Sequence, residues 1–471
     1  MSAGNFAAPI DMAGKFKMSR ATYAAAIIIL CGFGVAVTWL CTTKLEREVP
    51  RLVLKKAIHS IGASCTLEAV ASDEKSGLKR VWIAILQGGK EVTLFDQKFP
   101  SVGFFGGGSL RKQPVCIEIK PHELDLKDGE AVLRTRVWDH SWWGWMSGNR
   151  FYAEHNLVID TKAPEIDVLT RNHYLNQGGA GLIIYRISES VAKSGVNVGK
   201  RFFPGSSGYF ADPDIFIAFF AIPYDVGPDA RLYITATDLA GNTSRMGFSY
   251  HINRKRFKKD IINVPDAFLK RKMPEFEHFI GKEKSSAPLI DKFLTVNRDV
   301  RRLSNKTIVD TCKKSDPRLY WKGKFLRLPA SARKAGFADY RLYRYRGDVI
   351  DKQVHMGVDL ASTAHSAIPA ANNGRVAFCD ELGIYGKSVI IDHGFGLFSI
   401  YGHLSRIQVT RGQMVSKGDI IGFTGSTGLA GGDHLHFAMM IHNTFVNPVE
   451  WWDSNWIKHN VIDKLKVSKV S

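Results

Sequence analysis

The pattern of hydrophobic and polar positions divides the chain into four stretches, and the first is a single apolar run. Residues 21–41 read ATYAAAIIILCGFGVAVTWLC and contain no charged side chain. A helix of this length can cross a hydrocarbon core of about 30 Å. The run is long for the core of a signal peptide, and no small-x-small cleavage site follows it. We therefore predict an uncleaved transmembrane signal anchor rather than a cleaved signal peptide.

Basic residues flank this run and predict its orientation. Lys15, Lys17 and Arg20 precede it, although further basic residues follow it. Because short loops rich in lysine and arginine are retained on the cytoplasmic side, residues 1–20 are predicted to be cytoplasmic. The chain after residue 44 is then predicted to be exported.

The second stretch begins near residue 52 and is typical of short strands. Apolar and polar residues alternate in two runs, which lead into the turn sequences DHSWWGWMSGN and DLAGNTS. Alternation with a period of two indicates half-buried strands. The two halves of the stretch also resemble each other weakly, at a period of about 100 residues. We predict two β-sandwiches, over residues 50–162 and 163–253, that meet near Pro164.

The third stretch, residues 254–317, is basic and has a helical pattern. It opens with RKRFKKD, and three prolines divide it into short helices because each proline removes a helical hydrogen-bond donor. We predict a helical linker that either is a spacer packed on the last domain or folds over the groove of that domain and regulates access. The apolar positions of its amphipathic helix recur at three- and four-residue steps and are Leu289, Ile290, Phe293, Val296, Val300 and Leu303.

Strand signals return after Trp321 and define a predicted domain at residues 318–455, followed by a tail at 456–471. SVIIDHG, FSIYGHL and HLHFAMMI are β-rich, and YRLYRYRGDVID predicts a hairpin around Arg346 and Gly347. These runs predict a mainly antiparallel sheet with a groove. The predicted fold class is therefore mainly β, with two sandwiches, a helical linker and a C-terminal antiparallel sheet behind one transmembrane helix.

Composition limits the classes of function. The chain has 471 residues, too many for a single core, and its apolar content of 45% is that of a folded protein. A formal net charge of +19 suits an anionic polymer or a membrane surface. No nucleic-acid-binding motif accompanies this charge, so we predict no nucleic-acid partner.

Cysteines and tryptophans allow further interpretations. Cys65 and Cys116 lie in strand-like runs and are predicted to pair in an exported protein, with Cys312 and Cys379 as a second candidate pair. The WDHSWWGW stretch contains Trp138, Trp142, Trp143 and Trp145. It is either an exposed patch that stacks on sugars or a site of core packing or domain contact.

Histidines concentrate near the end of the chain, where seven of the fifteen lie between residues 355 and 442. His434 and His436 share one face of a strand, and His355 and Asp359, four residues apart, share a face in a strand or a helix. Two imidazoles and a carboxylate suit a catalytic zinc, which keeps three protein ligands and one open position. Spacing does not choose between His434 and His436 as the ligand, and it leaves His403 for proton transfer.

Three motifs of this region, HMGVDLA, YGHL and GDHLHF, occur in one order beside the glycine-rich sequence GFTGSTGLAGGD. Spacing alone does not exclude His365, His393 and His442 as ligands. Together the motifs resemble the signature blocks of the lysostaphin-type (LytM-like) zinc metallopeptidases, which cut peptide bridges in bacterial peptidoglycan. The resemblance covers roughly residues 320–452.

The resemblance implies specific roles for five residues. It implies zinc ligands at His355, Asp359 and His436, and catalytic histidines at His403 and His434. No H-E-x-x-H glutamate is present in the sequence, so the two histidines are expected to stabilise the oxyanion and transfer protons. The DTKAPEI and ATDLAGN sequences, in addition, resemble bacterial immunoglobulin-like repeats.

These features predict a membrane-anchored zinc endopeptidase that hydrolyses the peptide cross-links of peptidoglycan with a zinc-activated water. Its predicted partners are peptidoglycan stem peptides and the bacterial inner membrane. The predicted location is a single-pass protein with a cytoplasmic N-terminus and most of the chain in the periplasm. One alternative is a non-enzymatic LytM-like regulator of cell-wall amidases, against which the five filled positions argue. Another is a cell-envelope scaffold led by its immunoglobulin-like domains.

Overall fold

The computed structural model describes residues 19–103, 106–281 and 286–467. Lys15 and Lys17, on which part of the orientation prediction rests, lie outside the described residues. The chain divides into two compact units, Met1–Lys162 and Ala163–Ser471. Each unit has its own hydrophobic core.

One apolar helix, α1 (Arg20–Thr43), opens the described part of the first unit. Its N-terminus is capped by Ser19, whose hydroxyl accepts a hydrogen bond from the Thr22 N–H at 3.2 Å. With 24 residues, the helix is about 36 Å long. It is long and apolar enough to cross a membrane, a test that a signal sequence also passes. The predicted N-terminal apolar helix is confirmed.

Two sheets form the rest of the first unit. A three-stranded sheet has the order β1-β3-β6 and a five-stranded sheet the order β2-β8-β7-β4-β5. Side chains of both sheets, such as Leu67 of β3 and Leu133 of β7, meet in one core. The strands are β1 (Arg51–Leu54), β2 (Ser60–Ile61), β3 (Cys65–Ser72), β4 (Leu78–Gln87), β5 (Lys90–Lys98), β6 (Lys112–Ile119), β7 (Gly129–Asp139) and β8 (Arg150–Ile159). A 3₁₀ helix at Pro121–Leu124 precedes β7, and a single turn, α2 (Trp143–Met146), follows it.

The register between β3 and β6 separates two cysteines that were predicted to pair. Cys65 lies opposite Ile119, and Cys116 lies opposite Glu68. The two cysteines are therefore three positions out of register, about 10 Å along the strands, and they point to opposite faces of the sheet. A disulfide needs Cα atoms within about 7 Å, so the predicted Cys65–Cys116 pair is wrong. All cysteines among the described residues are free thiols.

The second unit begins with another β-rich region. Its sheets have the orders β14-β11-β9, β13-β12-β15-β16 and β10-β17. Burial alternates regularly along β15, and its buried residues include Ile234 and Ala236. The strands are β9 (Ile166–Val168), β10 (His173–Asn176), β11 (Ala180–Ile187), β12 (Val191–Val198), β13 (Arg201–Pro204), β14 (Ile215–Ala221), β15 (Leu232–Asp238), β16 (Thr243–Gly247) and β17 (Tyr250–Asn253). The mainly β prediction is confirmed, whereas the immunoglobulin-like character of both β-rich regions stays a prediction.

The segment predicted as helical from Arg254 starts instead with a strand. Residues Lys259–Asn263 form β18, which pairs in parallel with β20 (Tyr340–Tyr345). Its side chains alternate between exposed and half-buried positions, as in a strand, and the helical pattern sets in only afterwards. The helices are α3 (Asp266–Lys272), α4 (Glu277–Ile280), α5 (Leu289–Thr295) and α6 (Arg301–Cys312), with a 3₁₀ helix at Met273–Phe276 and a π-helical turn at Val296–Val300.

The π-helical turn joins α5 to α6 and changes the buried face of the amphipathic helix. Phe293, Val296 and Val300 are buried as the periodicity predicts. Leu303 is 55% exposed, and Ser304 is buried in its place. A π-turn adds a residue to one helical turn, so the stripe after it moves by one position. The prediction for Leu303 is therefore wrong.

The last part of the second unit is built on one large antiparallel sheet. Its order is β19-β22-β30-β26-β25-β24-β28, and β31 pairs with β30. β20 and β21 form the predicted hairpin. The remaining elements are β19 (Ala332–Ala335), β21 (Asp348–Val354), β22 (Val358–Ala361), β23 (Ala367–Pro369), β24 (Gly374–Glu381), β25 (Lys387–Gly394), β26 (Leu397–Leu404), β27 (Arg406–Ile407), β28 (Met414–Val415), β29 (Ile420–Phe423), β30 (Leu435–Ile441), β31 (Thr444–Val446), α7 (Pro448–Trp452), α8 (Ser454–Ile457) and α9 (Asp463–Val467), with a 3₁₀ helix at Gly383–Tyr385 and a π-helical turn at Lys458–Ile462.

A buried carboxyl group joins the first β-rich region of this unit to the end of the large sheet. Glu450 in α7 accepts a hydrogen bond from Asn176 Nδ2 at 2.6 Å and another from the Ala180 N–H at 2.8 Å. Burial is the main influence on its pKa and raises it to about 7, against the two hydrogen bonds that lower it. Ionised Glu450 is therefore costly to the folded state.

The raised pKa of Glu450 predicts a pH dependence of stability. Because the folded state binds this proton more tightly than the unfolded chain, with an ordinary pKa of 4.5, the contribution of Glu450 to the free energy of unfolding falls as the pH rises from 4.5 to about 7. The total change is on the order of 3 kcal/mol. We expect the Tm of wild type to fall relative to that of Glu450→Gln across this window and to run parallel to it above the window. A Tm difference that is the same at every pH would contradict the assignment.

Candidate metal site and active site

The pairing of two strands brings the central residues of the site together. Asp359 lies in β22 and His436 in β30, and the antiparallel register places them directly opposite each other. Directly opposed side chains on one face have Cβ atoms about 4.5–5.5 Å apart. His355 lies just before β22, four residues from Asp359. All three residues are buried.

Three ligand atoms of these residues form a nearly equilateral triangle. His355 Nε2 lies 3.0 Å from Asp359 Oδ1 and 3.0 Å from His436 Nδ1, and His436 Nδ1 lies 3.1 Å from Asp359 Oδ1. Tetrahedral bonds of about 2.0–2.1 Å to nitrogen and oxygen give ligand separations of about 3.3 Å. Two imidazole nitrogens and one carboxylate oxygen at this spacing therefore fit a small tetrahedral cation such as Zn²⁺.

A hydrogen bond to the backbone orients the imidazole of His355 in a way that suits a metal ligand. His355 Nδ1 lies 2.8 Å from the carbonyl oxygen of Gly336, so Nδ1 carries the proton and the Nε2 lone pair faces the triangle. This is the outer hydrogen bond that metal-binding histidines normally have. Burial lowers the pKa of His436 to about 4, and the neutral imidazole is the form that binds a metal.

A close glycine allows His436 to occupy its position. A Cβ atom on Gly357 would lie 2.6 Å from both Cε1 and Nε2 of His436, and 2.8 Å from the carbonyl oxygen of Phe437. Only glycine fits between this imidazole and the β30 backbone without a shift. Gly357 belongs to the HMGVDLA motif, and its packing role was not predicted.

Arg341 is a second residue that sequence reasoning missed. Its Nη2 donates a hydrogen bond to Asp359 Oδ2 at 2.7 Å. The other oxygen, Oδ1, is the one that faces the two imidazoles. Burial raises the pKa of Asp359, but the neighbouring histidines outweigh burial and hold this pKa well below its usual range. Arg341 thus leaves Asp359 with one oxygen available to a metal.

His403 and His434 lie side by side next to the triangle. Their ring centroids are 4.8 Å apart. His403 Nδ1 lies 2.8 Å from the Thr427 carbonyl oxygen, and His434 Nδ1 lies 2.9 Å from that of Gly432. Each Nδ1 therefore donates to the backbone, and each Nε2 remains able to accept or donate a proton. His434 Nε2 is 3.6 Å from Asp359 Oδ1.

The environments of these two histidines shift their pKa values in opposite directions. Burial, reinforced by the positive charge that His434 and His436 carry when protonated, holds the pKa of His403 well below its usual value. Burial also lowers the pKa of His434, but the carboxylate of Asp359 outweighs it and raises the net pKa. His403 also has a left-handed backbone, with φ of 66°.

A cavity of about 470 Å³ opens beside the triangle and is lined by Asp359, His403 and His434. Its opposite wall comes from β18, α3 and Phe293. Arg271 of α3 donates a hydrogen bond to the Gly431 carbonyl oxygen at 3.0 Å, so this wall is fastened to the glycine-rich sequence before β30.

The three histidines that spacing did not exclude lie outside the triangle. Burial lowers the pKa of His393 to about 4, and its ring nitrogens contact the Asn373 carbonyl oxygen at 2.7 Å and Ser399 Oγ at 2.7 Å. His442 is half-buried with its ring against Gly396, and His365 lies 3.8 Å from Asp433. Among the described residues, none of them joins the group formed by His355, Asp359 and His436.

The antiparallel sheet carries a His-Asp-His triangle that could hold a metal ion, with two further histidines and an open cavity beside it. Comparison with known families is more specific. Residues 353–448 match the model of peptidase family M23. The chain therefore carries a peptidase family M23 domain, and the family resemblance of its motifs is confirmed.

Known proteins match this part of the chain. DD-carboxypeptidase/endopeptidase Mpg of Neisseria meningitidis is 38% identical over 97 residues, 21% of this chain and 22% of that protein. Peptidoglycan DD-endopeptidase ShyA of Vibrio cholerae is 34% identical over 96 residues, 20% of this chain and 22% of that protein. The chain thus matches about a fifth of the length of these curated relatives. The catalytic domain of lysostaphin from Staphylococcus simulans is 26% identical, with a TM-score of 0.25, and covers 28% of this chain and 98% of that domain.

The packing of Gly357 predicts that a single methyl group disturbs the metal site. We expect Gly357→Ala to weaken zinc binding by roughly 10–100-fold, as loss of a supporting contact to a metal ligand does, because His436 must move. Zinc affinity is measured by competition with a chelator. Gly432→Ala is the control, since a Cβ atom there meets nothing within 4 Å. Equal zinc affinities for both variants would show that the ring of His436 does not depend on Gly357.

Proposed function

We propose that this protein is a membrane-anchored zinc metalloendopeptidase that hydrolyses the peptide cross-links of bacterial peptidoglycan. The observation that carries the proposal is the triangle of His355, Asp359 and His436 within a peptidase family M23 domain. The substrate is proposed because matching relatives are named as peptidoglycan DD-endopeptidase and DD-carboxypeptidase/endopeptidase.

We propose His355 Nε2, His436 Nδ1 and Asp359 Oδ1 as the zinc ligands. Zinc supplies, when bound, a Lewis acid that lowers the pKa of water and polarises a carbonyl group. His355 is oriented by the Gly336 carbonyl, and Arg341 occupies the second oxygen of Asp359. Three protein ligands leave one position of a tetrahedron for the reacting groups.

His403 and His434 are the proposed proton-transfer groups. The Nδ1 atom of each ring is fixed by a backbone carbonyl, so each ring can hold or release one proton at Nε2 without turning. Both line the cavity beside the proposed ligands. A protonated Nε2 there stabilises a developing oxyanion, and it can deliver its proton to the leaving amine. Without an H-E-x-x-H glutamate in the chain, these rings carry the acid–base chemistry.

We also propose a location for the protein and an organisation of its domains. α1 is proposed to cross the inner membrane as an uncleaved anchor, with residues 1–20 in the cytoplasm and the chain after residue 44 in the periplasm. The β-rich regions 50–162 and 163–253 are proposed as two immunoglobulin-like modules. Residues 254–317 are proposed as a linker whose first strand and helix form one wall of the active-site cavity.

The proposed division of labour among the site residues predicts two classes of variant. His355→Ala, Asp359→Ala and His436→Ala remove a zinc ligand, so bound zinc and cleavage of purified peptidoglycan are expected to be lost together. His403→Ala and His434→Ala keep all three ligands. For these two we expect about one zinc per chain and a fall in turnover of roughly a hundredfold or more.

Zinc content is measured on the purified protein, and cleavage by mass spectrometry of the released muropeptides. His365→Ala is the control for loss of a histidine near the site, since its side chain is 70% exposed. Full turnover by His403→Ala would contradict the proposed mechanism. A wild-type protein that holds zinc yet releases no fragment would contradict the enzyme and favour an amidase regulator.

The attachment of α3 to the glycine-rich sequence can be tested for its effect on access to the cavity. If this wall restricts entry, Arg271→Ala removes its hydrogen bond to Gly431 and should raise turnover on intact peptidoglycan by roughly two- to tenfold, because one hydrogen bond contributes about 0.5–1.5 kcal/mol. Lys270→Ala removes the same charge from an exposed neighbour and should leave turnover unchanged. Unchanged turnover in both variants, with the fold intact, would reduce the segment to a spacer.

A further inference from the structure

The loop between β7 and β8 displays large apolar side chains on the surface of the first unit. Trp145 is 100% exposed, Met146 is 55% exposed and Trp143 is 40% exposed. The interpretation of this stretch as core packing is therefore wrong for Trp145. Such a group of exposed apolar side chains marks a surface that contacts something else.

The backbone of this loop holds the side chains outward. Gly144, Trp145 and Met146 have φ values of 64°, 60° and 65°. Three successive residues in the left-handed region are unusual, and bulky side chains rarely adopt it. Strain of this kind tends to be retained where a surface has a function.

The loop is bonded to the point where α1 ends. The Trp142 N–H donates to the Lys44 carbonyl oxygen at 2.5 Å, and Ser141 Oγ donates to the same oxygen at 3.1 Å and to the Glu46 carbonyl oxygen at 2.9 Å. Lys44 is the C-cap residue of α1. The tryptophans therefore lie beside the last turn of the apolar helix.

Further contacts hold this junction in place. Asn149 Nδ2 donates to the Glu46 and Glu48 carbonyl oxygens, at 3.1 Å each, and to Asp139 Oδ2 at 2.9 Å. The Arg47 guanidinium stacks over the ring of Trp143 at 4.0 Å. The loop and the end of α1 thus form one connected structure rather than two segments that meet by chance.

We propose that residues 142–146, the tryptophan loop, insert into the interfacial layer of the membrane beside α1 and act as a second membrane contact. The inference rests on the proposed crossing of the bilayer by α1. A helix of about 36 Å exceeds a hydrocarbon core of about 30 Å, so its last turn lies among the headgroups. Tryptophan is enriched at that depth because its ring is apolar and its N–H is polar.

Charge near the loop suits the same surface. Arg47 and Arg51 follow α1 and are exposed, where phosphate groups of lipids can accept their hydrogen bonds. The position beside α1 favours lipid over the sugar-stacking role, since any group bonded to Lys44 must lie at the membrane surface when α1 is inserted. The loop would then fix the first unit on the bilayer at two points instead of one.

Electron paramagnetic resonance of the full-length chain in lipid nanodiscs tests the proposal. Three single-cysteine proteins carry a nitroxide, with every other native cysteine replaced by serine. They are Trp145→Cys, Lys127→Cys and the protein that keeps only Cys31 of α1. Lys127 is exposed and lies at the far end of β7, about 33 Å from the loop at about 3.3 Å per residue.

We expect the label at position 145 to be relaxed more by oxygen, which concentrates in lipid, than by a water-soluble nickel complex. The label at 127 should show the reverse order, and the label at Cys31 should report lipid. Met146→Cys, which keeps Trp145, repeats the measurement in case the loop needs its tryptophan to insert.

Any other result contradicts the membrane contact of the loop, the membrane anchor or both. Labels at 145 and 146 that are as open to nickel as the label at 127, while Cys31 reports lipid, would refute the tryptophan loop and leave the anchor intact. If those labels become shielded only when soluble peptidoglycan fragments are added, the loop is a sugar-binding surface instead. A water signal at Cys31 would refute the anchor and this inference together. None of these readouts depends on peptidase activity.

Discussion

The pairing of Asp359 with His436 across β22 and β30 is the constraint on which the site depends. Side chains alternate along a strand, so a slip of one residue would turn His436 to the opposite face of the sheet. β26 and β30 are buried along their whole length, and such a register is strongly held because a slip would also misplace the core. Packing of the sheet core thus fixes the position of Asp359 relative to His436.

Local spacing predicts which side chains share a face but not which of them meet. It brings His355 to Asp359, and His434 to the face of His436, yet the choice of His436 as the partner of Asp359 needs the register between two strands 77 residues apart in sequence. The contact of Arg341 with Asp359 could not be predicted for the same reason, because β20 belongs to another sheet. The Cys65–Cys116 prediction failed where a register of three positions decided the outcome.

Arg341 contributes to the electrostatics of the site together with the histidines. A buried carboxylate is costly unless its oxygens are paired. Here Oδ2 accepts from Arg341 at 2.7 Å, and Oδ1 faces two imidazole nitrogens. Only one oxygen is left for a cation, together with two nitrogens. A low ligand number rich in nitrogen suits zinc, whereas calcium needs six to eight oxygens. Arg341, which lies outside the three motifs, therefore helps the proposed site to favour zinc over calcium.

The large sheet shares its core with the β-rich region that precedes it. Phe219 of β14 contacts both Trp321 and Trp451, with ring centroids 6.3 Å and 6.5 Å away. Lys464 is buried and donates to the Leu182 carbonyl oxygen at 3.0 Å. A fragment that begins near residue 318 would expose this aromatic surface and leave the partners of Glu450 and Lys464 behind. The same continuous core holds the register of β22 and β30. The geometry of the proposed metal site therefore also depends on residues more than a hundred positions earlier in the chain.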